Sequence, residues 1–427
     1  MSKYDKASLV HIPSGYKSGT LYNVLPNDAD GDFDFTRAST ATRVDENGLI
    51  ETIAIGTPRL NYPLLDGVVQ DNPVLLLEPQ RTNLITYSED TTTWGKNQTP
   101  VVTLNNGIAP DGTQSSDKAV VNSISEGFYN FSAGTVTSGT TYTTSIFIKH
   151  ISGVQTIRFG FAGTGFGGDN DNVFNIVNGT IVSSVANSTN QIINYGNGWF
   201  RLICTKAASA TNTGGFLLYG NVNAEIQYNV WGAQIEVGSY PTSYIPSLTG
   251  SQTTRSADAA NGAGTADDFN DSEGVLYANI AALADEGIRQ ISINDNSSSD
   301  RVSIILGASS NQVIASTHVS GSDTNLYLNT TNNTTLYNKY AYKYKTNDFS
   351  FWINGFEQSA TIVGGATFPD GTLANMDYDR GDGVYNFYGK TKEVIVFREA
   401  LSDTELEALT SYDSFNSMAT EQLYTIE

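Results

Sequence analysis

An all-β fold is decided by the segment Tyr142-Thr-Thr-Ser-Ile-Phe-Ile-Lys149, in which polar and apolar side chains recur with the period of a strand. The same alternation returns in Val154-Gln-Thr-Ile-Arg-Phe-Gly-Phe161 and in Trp199-Phe-Arg-Leu-Ile203. Turn residues such as Asn178-Gly179 separate several of these segments, and no helical pattern lies between them. Strands at this spacing predict an antiparallel β-sandwich over residues 91–246.

A second strand-rich stretch covers residues 273–410. It contains Lys392-Glu-Val-Ile-Val-Phe397, and Asn354-Gly355 predicts a tight hairpin that joins two of its strands. One short helix is predicted after the last strand, because Ser402 and Glu405 have the spacing of a capping box. We therefore expect a second antiparallel sandwich that ends in a capped helix.

The remaining parts of the chain are poorer in apolar residues. Residues 1–90 combine short apolar runs with Gly and Pro, which predicts an extended region for attachment or for clasping other subunits. Residues 247–272 are rich in Ser, Thr, Ala, Gly and Asp and are predicted to be a linker or a loosely packed strand. Residues 411–427 are predicted to be a tail. The predicted fold class is thus all-β: an N-terminal extended attachment region followed by two antiparallel β-sandwich (jelly-roll) domains.

The charge of the chain excludes some classes of partner. Its 44 acidic and 23 basic residues give a formal net charge of −21. Binding to nucleic acid or to an anionic membrane surface requires clusters of Lys and Arg, so neither is expected. Met1-Ser-Lys-Tyr-Asp-Lys6 is not followed by an apolar segment, so no secretory signal or membrane insertion is predicted. The single cysteine, Cys204, lies in a strand-like run and is predicted to be a small buried apolar residue.

Two ordered blocks carry a resemblance to a known group of proteins. The first is Phe35-Thr-Arg-Ala-Ser-Thr-Ala-Thr-Arg-Val-Asp-Glu-Asn-Gly-Leu-Ile50, in which Asn47-Gly48 is predicted to supply both positive-φ positions of a tight hairpin. With Pro58-Arg-Leu-Asn-Tyr-Pro63 and Leu75-Leu-Leu-Glu-Pro-Gln-Arg-Thr-Asn-Leu-Ile85, it resembles the N-terminal region of tailed-phage fibre and spike proteins.

The second block is Trp231-Gly-Ala-Gln-Ile-Glu-Val-Gly-Ser-Tyr-Pro-Thr-Ser-Tyr-Ile-Pro246, followed by Thr254-Arg-Ser-Ala-Asp258. It is similar to the segment that closes the middle module of the same proteins. The order of elements in that module resembles jelly-roll carbohydrate-binding modules. The hairpin, the last strand and the capped helix of residues 273–410 resemble concanavalin A-like (laminin-G-type) lectin domains.

The resemblance implies a virion surface protein that serves as a head or tail fibre or spike and binds host cell-surface glycans. It implies capsid or tail proteins as partners of the N-terminal region, host polysaccharide as ligand, a homotrimer, and a virion location after synthesis in the host cytoplasm. No enzyme is expected, because the sequence lacks a nucleophile elbow, a zincin helix and a phosphate loop. Two alternatives stay open: a glycoside hydrolase-type depolymerase, since laminin-G-type folds host glycosidases, and a purely structural head decoration protein.

The best candidate ligand site is a loop with three acids and two tyrosines. Carboxylates at short spacing suit Ca²⁺, and an aromatic ring beside carboxylates suits a sugar. A solvated loop without a ligand is the alternative. The predicted site residues are Asp377, Tyr378, Asp379, Asp382 and Tyr385.

Other candidates are weaker. Asp28-Ala-Asp-Gly-Asp-Phe-Asp34 alternates carboxylates but lacks the glutamate that completes an EF-hand loop. Arg37, Arg43 and Arg81 lie in the first block, and we expect them at an attachment interface, paired with carboxylates of a neighbouring chain.

Overall fold

The computed structural model describes residues 3–422, and it confirms the all-β fold class. Each pair of neighbouring strands within its sheets is antiparallel. Helical structure is confined to four short segments: the 3-10 turns Ala29–Gly31 and Thr164–Phe166, and the α-helices Asp403–Thr410 and Phe415–Glu421. Within the described residues, none of these helices is long and apolar enough to span a membrane.

The middle sandwich is built from two six-stranded sheets that enclose an aromatic and aliphatic core. In spatial order, the first sheet contains Gly95–Asn97, Gly127–Val136, Asn212–Gly220, Thr156–Ala162, Asn172–Asn175 and Thr180–Ser183. The second contains Val101–Gly107, Ser116–Val121, Ile226–Val237, Thr141–Gly153, Trp199–Ala207 and Thr189–Gly196. Cys204 is fully buried in the core between these sheets, as its sequence context predicts, and burial raises the pKa of its thiol.

The C-terminal sandwich pairs an eight-stranded with a six-stranded sheet. The larger contains Phe356–Gln358, Ser350–Ile353, Asn338–Lys345, Glu273–Ala282, Gly389–Phe397, Val74–Leu77 and Leu60–Asn61, with Ala7–His11 also paired to Gly389–Phe397. The smaller contains Ala360–Val363, Ser322–Asn329, Val313–Val319, Arg301–Leu306, Arg289–Asn294 and Asn375–Asp377. The predicted hairpin at Asn354-Gly355 is confirmed, since Ile353 pairs with Phe356.

The N-terminal region differs from its sequence prediction. Its strands Ala7–His11 and Val74–Leu77 complete the C-terminal sandwich by pairing with Gly389–Phe397. The side chains of Leu9 and Leu75 are fully buried in the core of that sandwich. Residues 1–90 therefore pack against their own chain because their short apolar runs fill this core, and an attachment role for them stays a prediction.

The rest of the N-terminal region and the predicted linker form small sheets. One joins Tyr16–Lys17, Thr20–Leu21, Phe33–Thr36 and Ala259–Asn261, a second joins Arg81–Asn83 and Thr253–Arg255, and two hairpins join Ala41–Val44 to Ile50–Ile53 and Leu64–Leu65 to Val68–Val69. Of the two predictions for residues 247–272, the structure shows the strand and not the linker, because the segment contributes two paired strands and the fully buried Ala260 and Ala263.

The hairpin predicted at Asn47-Gly48 exists, but its turn is different. Val44 pairs with Ile50, so five residues form the loop, and of Asn47 and Gly48 only Gly48 has a positive φ (78°). Asp45 replaces the tight turn, since its side chain accepts hydrogen bonds from the backbone N–H groups of Asn47 and Leu49.

Five charged side chains form a buried ion cluster where the two sandwiches meet. Glu78 and Asp258 are its carboxylates. Arg59 contacts both of them, Arg255 binds Glu78 at 2.6 Å, and Arg37 binds Asp258 at 3.1 Å. Burial alone would raise the pKa of Glu78. The neighbouring guanidinium groups of Arg255 and Arg59 outweigh burial and hold that pKa far below its usual range.

The ion cluster also connects the middle sandwich to the other parts of the chain. Ser243, which follows the last strand of that sandwich, donates backbone and side-chain hydrogen bonds of 2.8 and 2.7 Å to Glu78. The N-terminal region, the former linker and the middle sandwich are thus held together by charge-assisted hydrogen bonds.

Candidate functional site

The acidic loop predicted from the sequence is divided between the interior and the surface. Asp377, Tyr378 and Asp379 are each at most 4% exposed. The ring of Tyr378 packs against Phe33 and Phe387, with centroids 5.2 and 5.8 Å away, so it belongs to the core of the C-terminal sandwich. This ring is therefore not available as a platform for a sugar.

The two buried carboxylates of this loop serve as hydrogen-bond acceptors within the chain. Asp377 accepts bonds of 2.8 Å from the Gly262 backbone, 2.9 Å from Asn294 and 2.8 Å from Asn375. Asp379 accepts bonds from the Asn261 side chain and the Gly381 backbone. Burial raises the pKa of both carboxyl groups.

The exposed end of the loop is occupied by an arginine. Arg380 binds Asp382 at 2.6 Å and lies over the ring of Tyr385, 4.9 Å from its centroid. The structure thus does not bring the five predicted residues together in one site. Among residues 3–422, no group of three or more His, Cys, Asp or Glu side chains is arranged to hold a metal ion, which leaves the candidate Ca²⁺ without a ligand set there.

The three arginines expected at an attachment interface all pair within the chain. Arg37 belongs to the buried ion cluster, Arg43 binds Glu51 at 2.9 Å, and Arg81 lies 3.7 Å from Glu236. Carboxylates of this chain therefore already pair with all three arginines, and a role for these arginines at an attachment interface stays a prediction.

A different part of the molecule forms a groove. It lies between the middle sandwich and the hairpin of Ala41–Val44 and Ile50–Ile53, and it consists of two adjoining cavities of about 290 and 320 Å³. Both cavities are lined by Glu89 and Leu248. We call this the Glu89 groove, and its inner and outer cavities have different linings.

The inner cavity has an aromatic floor. Trp231, at the centre of the strand Ile226–Val237, and Tyr244, just after it, are each 2% exposed and pack with ring centroids 4.6 Å apart. The indole Nε1 of Trp231 is buried and faces the Glu89 carboxylate, but it does not reach normal hydrogen-bond geometry with that group or with another residue of the described chain. A buried donor without a partner is costly, so a ligand oxygen at this position would be favoured.

Glu89 provides the acceptor of the inner cavity. Burial, together with the nearby Asp111, raises the pKa of Glu89, while a 2.9 Å hydrogen bond from the Tyr244 hydroxyl and the neighbouring Trp231 indole act in the opposite direction. Asp111 also lines this cavity, but both of its carboxylate oxygens accept bonds from the Thr113 hydroxyl in its own turn. Glu89 is therefore the carboxylate with the greater capacity to accept bonds from a ligand.

The outer cavity exposes apolar surface beside polar groups. Tyr87 is 38% exposed and Leu248 is 59% exposed, and both line it with Asp90 and Asn105. The backbone of Tyr87 has a positive φ of 51°, and its hydroxyl lies against Gly250. A non-glycine residue in this conformation is held by its surroundings, and such residues cluster at ligand sites.

Sequence reasoning missed this groove. Trp199, Trp231 and Trp352 are predicted to be core residues, and burial confirms this for all three, yet Trp231 also lines a cavity. Tyr87-Ser-Glu-Asp90 places an aromatic residue beside acids, the same signal that selected the Asp377 loop. That signal could have found the groove, but burial decided between the two segments and cannot be read from them.

Comparisons with known proteins identify no family for this chain. No family model and no curated protein match the chain. Among solved structures, the CBM40 module of the Ruminococcus gnavus IT-sialidase bound to alpha2,3 sialyllactose is 17% identical and covers 34% of this chain and 84% of its own, with a TM-score of 0.29. Domain 4 of AbnA, a GH43 extracellular arabinanase from Geobacillus stearothermophilus in complex with arabinotriose, is 14% identical and covers 36% and 73%, with a TM-score of 0.29.

A tandem of two CBM22 domains from Paenibacillus barcinonensis is 10% identical and covers 76% of this chain and 99% of its own, with a TM-score of 0.26. A likeness at this level does not identify a ligand for this chain. The chain itself is an all-β protein of two antiparallel sandwiches with a groove beside the middle one.

Proposed function

We propose that this chain is a phage virion fibre or spike protein that binds host cell-surface polysaccharide in the Glu89 groove. The observation that supports glycan binding is the combination in one groove of the exposed Tyr87 ring, the buried Trp231 indole N–H and the Glu89 carboxylate that it faces. Sugars present apolar faces and hydroxyl rims, so they need an aromatic surface together with a few placed donors and acceptors. The two adjoining cavities would hold neighbouring sugar units.

The virion role is supported by how the resembling blocks fold. Arg37, Arg59 and Glu78 come from the N-terminal block, and Ser243, Arg255 and Asp258 come from the block that closes the middle sandwich. These six residues meet in and around the buried ion cluster. The two blocks that resemble phage fibre and spike proteins thus form a single structural unit.

Binding is tested by titrating the protein with host surface polysaccharide and measuring affinity calorimetrically. We expect Tyr87→Ala to weaken binding by about fivefold, because stacking of an apolar sugar face on an aromatic ring contributes on the order of 1 kcal/mol. Tyr385→Ala is the matched control, since Tyr385 is 39% exposed and also has a positive φ, of 60°. If Tyr385→Ala loses binding and Tyr87→Ala does not, the binding site is the loop predicted from the sequence and not the Glu89 groove.

The same incubations test the depolymerase alternative. We expect no new reducing ends, because glycoside hydrolysis needs two carboxylates free to act across the bond and Asp111 is engaged by Thr113. Reducing ends that appear with the wild type and vanish in Glu89→Gln would assign an enzyme instead.

The virion role is tested by electron cryo-microscopy of the intact particle. We expect homotrimers attached to a capsid or tail protein through residues 1–90, with the Glu89 groove facing outward. Repetition around the particle would raise the avidity of a shallow site. A groove covered by neighbouring subunits would support the decoration protein, and no copy on the particle would contradict both virion roles.

A further inference from the structure

A second cleft lies where the N-terminal region, the middle sandwich and the C-terminal sandwich meet. Its volume is about 320 Å³, and it is open to solvent. Lys390 and Leu283 line it from the C-terminal sandwich, Gln191 and Tyr195 from the middle sandwich, and Tyr62 from the N-terminal region. We call it the Lys390 cleft. Clefts between domains are frequent places for small ligands.

Lys390 brings an unpaired ammonium group to this cleft. Its ammonium group makes no hydrogen bond and no ion pair with any residue between positions 3 and 422, although the side chain is only partly exposed. Burial lowers the pKa of this amine, and Glu78 acts in the opposite direction. A half-buried cation without a partner is unfavourable unless an anion joins it.

The other charges of the cleft are mostly positive. Arg201 lines it and forms no ion pair with the described residues. Arg43 also lines it, and among the described residues it forms an ion pair only with the exposed Glu51. The single carboxylate among the lining residues is Glu78, which already binds Arg59 and Arg255. In a chain of net charge −21, this cleft is therefore a local site of positive charge.

The neutral lining has the character of a sugar site. Tyr62 and Tyr195 are half-buried, and neither of their hydroxyl groups bonds to a residue of the described chain. Ring faces for apolar contact and free hydroxyl and amide groups for hydrogen bonds thus surround the unpaired ammonium group. A small inorganic anion would pair with the ammonium group but would leave these rings without a contact.

We propose that the Lys390 cleft binds an anionic saccharide unit, a sugar ring that bears a carboxylate, with the carboxylate paired to the Lys390 ammonium group. Charge-assisted hydrogen bonds of this kind are stronger than neutral ones and select the charged sugar over its neutral counterpart. This cleft adjoins the inner cavity of the Glu89 groove, since Thr42, Ile50 and Tyr244 line both, but it shares neither Glu89 nor Tyr87 with that groove.

The probe is a trigalacturonate, and its methyl ester serves as the matched neutral ligand of the same size. We expect the wild-type protein to bind the acid at least about tenfold more tightly than the ester, with a preference that weakens as salt rises. Lys390→Gln should abolish this preference. Lys96→Gln makes the same change of charge at an exposed lysine of the middle sandwich and should preserve it.

Each outcome decides the proposal. Equal binding of acid and ester by the wild type would overturn it without any variant, so it can be contradicted even if Lys390→Gln fails to fold. Inorganic phosphate that displaces the acid at equal concentration would show a site for small anions and would overturn the saccharide. Tyr87→Ala should leave the preference intact, which separates failure of this cleft from failure of the Glu89 groove.

Discussion

Arg255 and Glu78 form a 2.6 Å ion pair in the interior of the protein, although 177 positions separate them in the chain. Glu78 also binds Arg59 and accepts a hydrogen bond from the side chain of Ser243. One carboxylate thus connects the N-terminal region, the middle sandwich and the strand that runs between the two sandwiches. The position of the two sandwiches depends on this connection, and so does the shape of the Lys390 cleft, which Glu78 lines.

Replacing this carboxylate should destabilise the protein strongly. In Glu78→Gln, the buried Arg255 loses its charged partner and Arg59 loses one of two, and breaking a buried pair in this way costs about 3–5 kcal/mol. Unfolding in denaturant measures the change. Glu51→Gln is the control, because it removes a pair with Arg43 in which Glu51 is 45% exposed, and such a pair is worth less than about 1 kcal/mol. Similar losses in the two variants would contradict a special role for the buried ion cluster.

The stability of the protein should also depend on pH through His11. This residue is fully buried, and burial lowers the pKa of its imidazole from 6.5 to about 4, although a hydrogen bond with Asn23 acts in the opposite direction. Between these two values the unfolded chain binds a proton that the folded chain does not. The contribution of His11 is therefore complete above pH 6.5 and declines as the pH falls toward 4, by roughly 3 kcal/mol at most.

The measurement is the melting temperature between pH 4 and pH 8 for the wild type and His11→Phe. The substitution should flatten the decline between pH 6.5 and 4, whatever it does to stability at neutral pH. An unchanged decline in His11→Phe would assign the effect to other groups. Because only the difference between the two curves is used, carboxyl groups that titrate in the same range do not affect the result.

Strand positions could be predicted because they depend on local patterns. The segment Tyr142–Lys149 shows the period of a strand, and Ser402 and Glu405 form the predicted capping box. The residues that pack against a strand are harder to predict from its sequence. Tyr142–Lys149 is buried on both faces, since Phe147 points away from the sandwich core and packs against Trp231 and Tyr244, 5.5 and 6.1 Å away.

Pairing between distant segments could not be predicted. Ala7–His11 has no local feature that selects Gly389–Phe397 as its partner, because antiparallel strands of similar composition are interchangeable until the whole core is assembled. The same limit explains why the sequence predicts a ligand site at the Asp377 loop and not at Tyr87-Ser-Glu-Asp90. Both segments place an aromatic ring beside acids, and only tertiary packing buries Tyr378 and leaves Tyr87 exposed.

The capping box offers a local test of the C-terminal helix. Ser402 accepts a hydrogen bond from the Glu405 backbone, and Glu405 accepts one from the Ser402 backbone. Ser402→Ala should destabilise the helix Asp403–Thr410 by about 1 kcal/mol, with faster amide hydrogen exchange in its first turn. Ser402→Thr keeps the hydroxyl group and should retain most of the protection. Equal exchange in the two variants would indicate that contacts with the sandwich alone hold the helix.

The indole N–H of Trp231 allows binding to be separated from packing. In Trp231→Phe an aromatic ring remains in the floor of the Glu89 groove, but the buried and poorly bonded donor is removed. Removing that donor should offset part of the packing lost with the larger ring, so we expect a change in unfolding free energy below about 2 kcal/mol. Binding of polysaccharide should nevertheless weaken about fivefold, the value of one hydrogen bond near 1 kcal/mol. If the affinity stays unchanged while Tyr87→Ala reduces it, the sugar occupies the outer cavity alone, because only the inner cavity contains this donor.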